Sequence, residues 1–285
     1  MNPKTSALEI ATNAVTVRTA HRLSASGTRE VRPDQIAVEE PLEIRVHGDS
    51  IAITMRTPGD DTNLALGFLY AEGIVRSIDD VGALSHCGRP GTPEFGNTVD
   101  LIAAPGIALD LERVSASRRG TLITSACGVC GRRSISDVLE ACRPVESGPT
   151  FSVRTVIEGI DQLCERQPAF ARTGGLHAAA FLDADGTIVS SAEDVGRHNA
   201  VDKATGALVR WRRVGKAAPV LLAVSGRASF EIVQKAARVG VRAIASVSAA
   251  SSLAIDLAGA MNITLASFVR NGACTIYTNS ARIQT

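Results

Sequence analysis

The chain carries almost no net charge. Its 30 lysines and arginines stand against 29 aspartates and glutamates, a formal +1 at pH 7. No global field therefore draws it to nucleic acid or to an anionic membrane surface, and an anionic ligand has to be held by local groups. Long apolar runs are missing as well. The longest, such as "PVLLAV" at 219–224, fall well short of the ~20 residues a membrane-spanning helix needs. The opening stretch "MNPKTSALEIATNAVTVRT" lacks the apolar h-region of a secretory signal. Cysteine is scarce, with six in the chain (Cys87, Cys127, Cys130, Cys142, Cys164, Cys274), unlike a disulfide-built secreted scaffold. These absences point to a cytoplasmic protein, where a Cys-x-x-Cys pair is more often metal-binding or catalytic than structural. There is no fixed-period repeat and no low-complexity tract.

What is present suffices for a packed core. The 285 residues suggest one large or two modest domains, and 45% hydrophobic against 21% charged residues does not favour disorder. Residues 1–34 are polar and read as a loosely ordered leader. Leu42, Ile44 and Val46, then "HGDS", then Ile51, Ile53 and Met55 alternate as a β-hairpin with one buried face. "TPGDDTNLALGFLYAEGI" predicts a helix capped by Asp60 or Asp61 and stopped at Gly73. With a strand near "TVDLIA", residues 35–115 form a small α+β unit.

Residues 116–285 change rhythm. "TLIT" at 121–124 reads as a strand running into a cysteine loop. Ser134 with Asp137, and Thr155 with Glu158, have capping-box spacing for two helices, the second stopped by Pro168. "LHAAAFLDADGTIVSS" reads as a hairpin turning at Asp185-Gly186. "PVLLAVSG", a helix to Val239, "VRAIASV", a helix from Ser251 or Ser252, "ITLASFV" and "CTIYTN" alternate strand and helix. The alternation predicts an α/β layered domain with a mostly parallel sheet.

The chemistry gathers at "TSACGVCGRRS", residues 124–134. A zinc clip wants four ligands in two close pairs, and the best second pair, His86 with Cys87, is adjacent rather than spaced. A thioredoxin-like dithiol would open a helix, but Gly131 follows the second cysteine directly. Two buried thiols in a turn are the plain alternative. A sulfur carrier fits more of the stretch: Gly128 and Gly131 leave an uncluttered loop, while Arg132 and Arg133 favour the nucleophilic thiolate that can take up a persulfide sulfur. Nucleobase deaminase chemistry is excluded, because position 179 is Ala where the His-x-Glu shuttle after His177 needs Glu, and Ala126 replaces the Pro of Pro-Cys-x-x-Cys.

Longer stretches carry a resemblance. "EEPLEIRVHG", "MRTPGDDTNLALGFLYAEGI", "SACGVCG", "TGGLHAAAF", "AEDVGRHNAVDKATG", "VSGRASFEIVQKAARVGV" and "SAASSLAIDLAG" with "ITLASFVRNGACTIYT" resemble, in order from Glu39 to Thr278, the FdhD family of formate dehydrogenase accessory sulfur carriers. His47 stands where the family pattern has Asn, and Ala249-Ala250 where it has Ala-Pro.

The resemblance implies an α/β (α+β overall) fold with a small N-terminal domain and a cytidine-deaminase-like C-terminal domain. It implies a sulfurtransferase-type carrier that takes sulfur from a cysteine desulfurase and passes it to the molybdenum bis-guanine-dinucleotide cofactor of formate dehydrogenase. That cofactor is a client, and the chain keeps no permanent cofactor or metal of its own. Cys127 would hold the persulfide and Cys130 would assist or share it. The cofactor-contacting segment falls on Phe268, Val269, Arg270, Asn271, Gly272 and Ala273. A chaperone that binds the cofactor without moving sulfur is the alternative. A homodimer would suit a cofactor with two nucleotide halves; neither nucleic acid nor membrane is expected as a partner.

The residues of that last segment admit two readings. Arg270 with free turn amides suits phosphate or a guanine edge, while Asn-Gly is also the favoured hairpin turn. "VSGRAS" at 224–229 offers Arg227 and helix-start amides to a phosphate, or ordinary capping by Ser225 or Ser229. "EDVGRHN" gathers Glu193, Asp194, Arg197, His198 and Asn199 before a helix, as a site or as a salt-bridged helix start. His177 is a site residue or a hydrogen-bonded core histidine, and "RWRR" at 210–213 reads as a solvated face.

Overall fold

The computed structural model describes residues 14–92, 94–111, 144–146, 148, 150–212 and 219–284. Cys127, Cys130, the strand expected at 121–124 and the helix expected from Ser134 to Cys142 lie outside the described residues.

The described residues open with β1 (Val15–Leu23) and β2 (Arg29–Ala37), an antiparallel two-stranded ribbon. It occupies most of the segment that the polar composition suggested was an irregular leader. Only one face of the ribbon is apolar, so the hydrophobic signal there is thin.

Next come β3 (Glu40–Val46) and β4 (Asp49–Arg56). His47 and Gly48 both have positive φ, 52° and 82°, the backbone of a type I′ turn that Asn-Gly would adopt more easily than His-Gly. The ladder slips directly after it: Arg45 opposes Ser50, but Ile44 opposes Ala52, leaving Ile51 as the extra residue of a β-bulge. One extra residue inverts every later side chain. Ile53 and Met55, expected in the core, are therefore exposed, and Arg56 points inward with 1% exposure. Its guanidinium is met by Asp61 Oδ1 and Oδ2 at 3.0 and 2.9 Å, by the Gly96 carbonyl and by Asn97 Oδ1.

That pairing takes Asp61 away from capping α1 (Asp61–Ala71). Asp60 holds the cap position but makes no side-chain cap bond, so neither acid caps as the sequence suggests. Gly73, at φ 78°, ends the helix as expected. Strands β5 (Val81–His86) and β6 (Thr98–Ala103) complete a four-stranded sheet in the order β4-β3-β6-β5.

A short β7 (Phe151–Ser152) leads into α2 (Val153–Glu165). Ser152, not Thr155, is its cap, accepting from the Thr155 N–H at 3.1 Å, while Glu158 takes Arg154 instead. Pro168 does not stop this helix; it opens the next, α3 (Pro168–Thr173), at a position where its missing N–H costs nothing.

Then follow β8 (His177–Leu182), β9 (Ile188–Asp194), α4 (Arg197–Arg212), β10 (Leu221–Val224), α5 (Phe230–Val239), β11 (Ala243–Ser246), α6 (Ser252–Ala260), β12 (Thr264–Arg270) and β13 (Ala273–Thr278). A two-residue β14 (Ile283–Gln284) closes back on β7. The central sheet runs β13-β12-β11-β10-β8-β9. Only β10, β11 and β12 run parallel to one another; β13, β8 and β9 join antiparallel. The sheet is thus mixed rather than mostly parallel. The reason is local: β8–β9 and β12–β13 are tight hairpins, which can only make antiparallel neighbours.

Alternation assigns the two faces. Ala178, Ala180 and Leu182 of β8, with Leu221 and Ala223 of β10, pack on α2 through Val156, Ile160 and Leu163. Ala179, Phe181, Leu222 and Val224 face the other way, onto α4, α5, α1 and the four-stranded sheet. Leu42, Ile44, Leu64 and Leu69 share that second core with Ala200, Val201, Ala204 and Leu208. The crossing of α1 and α4 is made by two glycines: a Cβ on Gly67 would overlap the Asp202 carbonyl, and one on Gly206 the Asn63 carbonyl.

Candidate functional site

Strands β10, β11 and β12 end at one edge of the sheet, and β8 enters there while β9 leaves. In sheets of this type the crevice beyond the carboxyl ends of parallel strands is where ligands bind, because helix N-termini converge there. This edge brings together His177, Arg197, His198, Ser225, Gly226, Arg227, Ser229, Ser246, Ser248, Phe268 and Arg270.

The loops after β10 and β11 are zipped to each other. The Ala228 N–H donates to the Ala249 carbonyl and the Ser251 N–H to the Ala228 carbonyl, each at 3.1 Å. The fully buried Ser246 hydroxyl donates to the Gly226 carbonyl at 2.7 Å, with the Ser248 carbonyl at 3.1 Å. Ser225 continues the β8 ladder in both directions, its hydroxyl accepting from the Ala178 N–H. Neither Ser225 nor Ser229 makes a side-chain cap on α5, so ordinary capping does not account for "VSGRAS".

Gly226 lies against His177 and Arg197: a Cβ there would stand 3.3 Å from His177 Nδ1 and 3.7 Å from Arg197 Cβ. Burial, reinforced by Arg197 and Arg227, pushes the His177 imidazole below its ordinary titration range, against the pull of Asp194. His177 is consequently neutral at pH 7 and able to accept a proton or a hydrogen bond. Arg197 Nε is buried and has no partner among the described residues.

His198, 6% exposed, stands between a hydroxyl and a carboxylate. Its Nε2 is 3.2 Å from Ser229 Oγ and its Nδ1 is 3.3 Å from Glu231 Oε2. Glu231 leads to Lys235 at 3.5 Å, and Lys235 to Asp202 at 2.8 Å. Burial opposes the charge on Lys235, but Asp202 and Glu231 outweigh it and hold the ammonium above its usual range. A hydroxyl, an imidazole and a carboxylate in line can share and move a proton.

The rest of "EDVGRHN" is structural. Asp194, fully buried, accepts from Gly196 N–H, Asn199 Nδ2 and Thr57 N–H, and pairs with Lys203 at 2.8 Å. Lys203 Nζ also donates to the Thr57 carbonyl at 2.7 Å, and Asn199 Nδ2 to the Met55 carbonyl at 2.7 Å. This cluster clasps the start of α4 to the end of β4. Glu193 accepts the Ala169 and Phe170 N–H groups at the start of α3, and burial raises its pKa. The salt-bridged helix start is therefore right for Asp194 and Asn199, while His198 and Arg197 turn to the sheet edge.

The segment Phe268–Ala273 is a hairpin turn with unusual features. Arg270 pairs with Ala273 across Asn271 (φ 52°) and Gly272 (φ 72°), a type I′ turn. Just before it the ladder slips between Ser267 and Arg270, and Phe268 sits at φ 53° with its N–H on the Ser248 carbonyl at 3.1 Å. A bulky residue in the left-handed region stores strain, which persists where a site demands it. Val269 is buried, Arg270 is exposed, and its guanidinium lies 5.7 Å from the Phe268 ring centre. Arg197, Arg227 and Arg270 thus give a nearly neutral protein a local cationic edge, with an aromatic face beside it.

Of the residues singled out in the sequence, Cys127 and Cys130 lie outside the described residues. Among the described residues no group of three or more His, Cys, Asp or Glu side chains is placed to hold a metal, and no helix is long and apolar enough to cross a membrane. Sequence reasoning missed the His198–Ser229–Glu231 line; His198 and the two residues of "SFE" are 31 and more positions apart and meet only through the β10 crossover.

An α/β protein with an anion-suited crevice at the carboxyl edge of a mixed sheet is a broad class, and comparison with known proteins narrows it. The FdhD/NarQ family model matches residues 37–284. The chain is 55% identical over 255 residues to sulfur carrier protein FdhD of Anaeromyxobacter dehalogenans strain 2CP-C, covering 88% of each chain. It is 46% identical over 277 residues to the protein of that name from Mycobacterium tuberculosis strain H37Rv, covering 93% of this chain and 98% of the other. The crystal structure of a protein described as a formate dehydrogenase accessory protein, from Desulfotalea psychrophila, superposes with a TM-score of 0.74 at 21% identity, over 95% of this chain and 100% of that one. The chain belongs to the FdhD/NarQ family.

Proposed function

We propose that the chain is a sulfur carrier that serves formate dehydrogenase. In this reading Cys127 takes a sulfane sulfur from the persulfide of a cysteine desulfurase, Cys130 assists or shares it, and the sulfur passes to the molybdenum bis-guanine-dinucleotide cofactor before insertion. Loading balances as an exchange: the Cys127 thiolate attacks the outer sulfur of the donor R–S–SH, a new S–S bond forms, the old one breaks, and the donor leaves as its thiolate. The observation that carries the reading is Cys127-Gly-Val-Cys130 in a member of this family whose curated relatives are named sulfur carriers.

The carboxyl edge supports the second half. Arg197, Arg227 and Arg270 suit pyrophosphate oxygens, the free turn amides at Asn271-Gly272 suit phosphate or a guanine edge, and Phe268 offers an apolar face to a base. The cofactor is cargo here. A cell that depends on formate dehydrogenase and lacks its own carrier tests the reading. The wild-type chain should restore activity and Cys127→Ala/Cys130→Ala should not. A double variant that restores it fully leaves a cofactor chaperone, not a sulfur carrier.

A further inference from the structure

The crossover from β10 to α5 sets a serine, a histidine and a carboxylate in one line, and the proposed sulfur transfer uses none of them. Ser229 Oγ lies 3.2 Å from His198 Nε2, and His198 Nδ1 lies 3.3 Å from Glu231 Oε2. The imidazole is buried and Ser229 is half-buried, so the hydroxyl stands at the reachable end of the line. Glu231 Oε1 faces Lys235 Nζ at 3.5 Å. Each carboxylate oxygen thus has its own partner, which holds the group in one orientation. A carboxylate at Nδ1 keeps the proton on that nitrogen and leaves the Nε2 lone pair to the hydroxyl.

The surrounding backbone fixes the line. The bridge between Ala228 and Ala250 pins the residue before Ser229, and Phe230, 8% exposed, anchors the residue after it. His198 is adjacent to Asn199 and close to Lys203 in sequence, both members of the buried clasp on Asp194. Ser229 lies between a central parallel strand and the helix that follows, the placement of the nucleophile in α/β hydrolases. The likeness is one of position only: Gly226-Arg-Ala-Ser229 is not Gly-x-Ser-x-Gly, and the Ser229 backbone is extended at φ −98°, ψ 168°. What the position supplies is a donor for negative charge. A helix start leaves its first N–H groups without an intrahelical acceptor. Ser229 makes no side-chain cap, and the first backbone bond of the turn runs from the Val233 N–H to the Ser229 carbonyl. The Phe230 N–H, directly after the serine, is one of those first groups, and the helix dipole strengthens its pull on an oxyanion.

We infer that Ser229 is an acyl-accepting nucleophile, with His198 as its base and Glu231 as the positioning residue, and that this edge hydrolyses carboxylic esters or thioesters bearing a negative charge. Ser229 Oγ bonds to the carbonyl carbon and its proton passes to His198 Nε2. The oxyanion faces the Phe230 N–H. The carbon–oxygen or carbon–sulfur bond then breaks, and the leaving alcohol or thiol takes the proton from His198. Water repeats the sequence on the acyl-serine: it gives a proton to His198, the acid departs, and Ser229 regains its hydrogen. The net reaction is ester plus water to acid plus alcohol or thiol. The preference for an anionic substrate comes from the exposed Arg227, two residues before Ser229, and from Arg197, which lies against Gly226 with its buried Nε unpartnered among the described residues.

A fluorophosphonate, which captures activated serines, tests this on the full chain. Peptide mass spectrometry should find the label on Ser229 in wild type, and labelling should slow at least about a hundredfold in His198→Gln. Neither Cys127 nor Cys130 takes part, so Cys127→Ala/Cys130→Ala should label as wild type does, which separates this activity from the sulfur reading. In that double-alanine background, S-acetyl-3-mercaptopropionate and acetylthiocholine are thioesters of opposite charge. The anionic one should be cleaved faster, and Ser229→Ala should abolish the difference from the uncatalysed rate. Glu231→Gln should lower kcat at least about tenfold and leave KM unchanged, a split that a loss of packing alone does not produce. The proposal is overturned by folded wild-type chain that takes no label on Ser229. It is equally overturned by cleavage as fast in Ser229→Ala as in its parent, or by faster cleavage of the cationic thioester.

Discussion

Asp194 and Lys203 form an ion pair of 2.8 Å that is shut off from water and ties the six-stranded sheet to the four-stranded one: Asp194 ends β9, Lys203 lies on α4, and both bond the backbone of Thr57 beyond β4. Removing one partner strands the other's charge. Lys203→Met should cost about 3–5 kcal/mol, read as a fall in urea midpoint, whereas Asp194→Asn with Lys203→Met should cost less than the sum of the two single changes. Additive losses would mean the pair does not act as a unit.

The glycine crossing of α1 and α4 tolerates no side chain. Gly206→Ala should destabilise the protein by at least about 3 kcal/mol, beyond the usual overpacking cost, because the obstruction is the Asn63 carbonyl rather than a movable side chain. Gly240→Ala makes the contrast, since open space surrounds that position and only its φ of 85° resists the change. Thermal melts of the two variants separate steric from conformational cost.

His177 gives the fold a sign in pH. Its titration is lowered in the folded protein, so the unfolded chain binds the proton more readily. The stability it contributes is present above the unfolded value near 6.5 and lost as pH falls below it through the folded one. The melting temperature should drop between pH 7 and 5 more steeply in wild type than in His177→Gln. Parallel profiles would show that His177 is more solvated than its position implies.

At the sheet edge, charge should govern affinity for the dinucleotide's guanine half. With guanosine diphosphate as probe, Arg270→Ala and Arg197→Ala should each weaken binding about tenfold, the worth of one charge-assisted hydrogen bond. Arg18→Ala on the ribbon should leave it unchanged. Isothermal titration distinguishes these, and equal affinities across all three variants would remove the edge from the proposed function.

Much of this architecture is readable from local pattern. The β8–β9 hairpin at Asp185-Gly186, the strand–helix alternation from Leu221 to Thr278 and the Asn271-Gly272 turn follow from alternation, glycine positions and turn chemistry. What fails is non-local. A single bulge residue, Ile51, exchanges Ile53 and Met55 for Arg56 in the core, and no periodicity announces it. Asp61 reads as a cap until Arg56 is known to be buried beside it. At the proposed site, the hairpin turn within Phe268–Ala273 is legible from its Asn-Gly, while its contact with a cofactor belongs to the proposal. The left-handed Phe268 and the meeting of His198 with Ser229 depend on where β11 and β10 end.

The central claim concerns one atom of sulfur on one Cys-x-x-Cys pair, Cys127 and Cys130. Incubation with a cysteine desulfurase and cysteine, followed by intact-mass and peptide mass spectrometry, should give an adduct of about +32 Da, one sulfur in a persulfide. It should lie on the peptide carrying Cys127 and Cys130 and be absent from Cys127→Ala/Cys130→Ala. An unmodified wild-type chain, or an adduct undiminished in the double variant, contradicts the account.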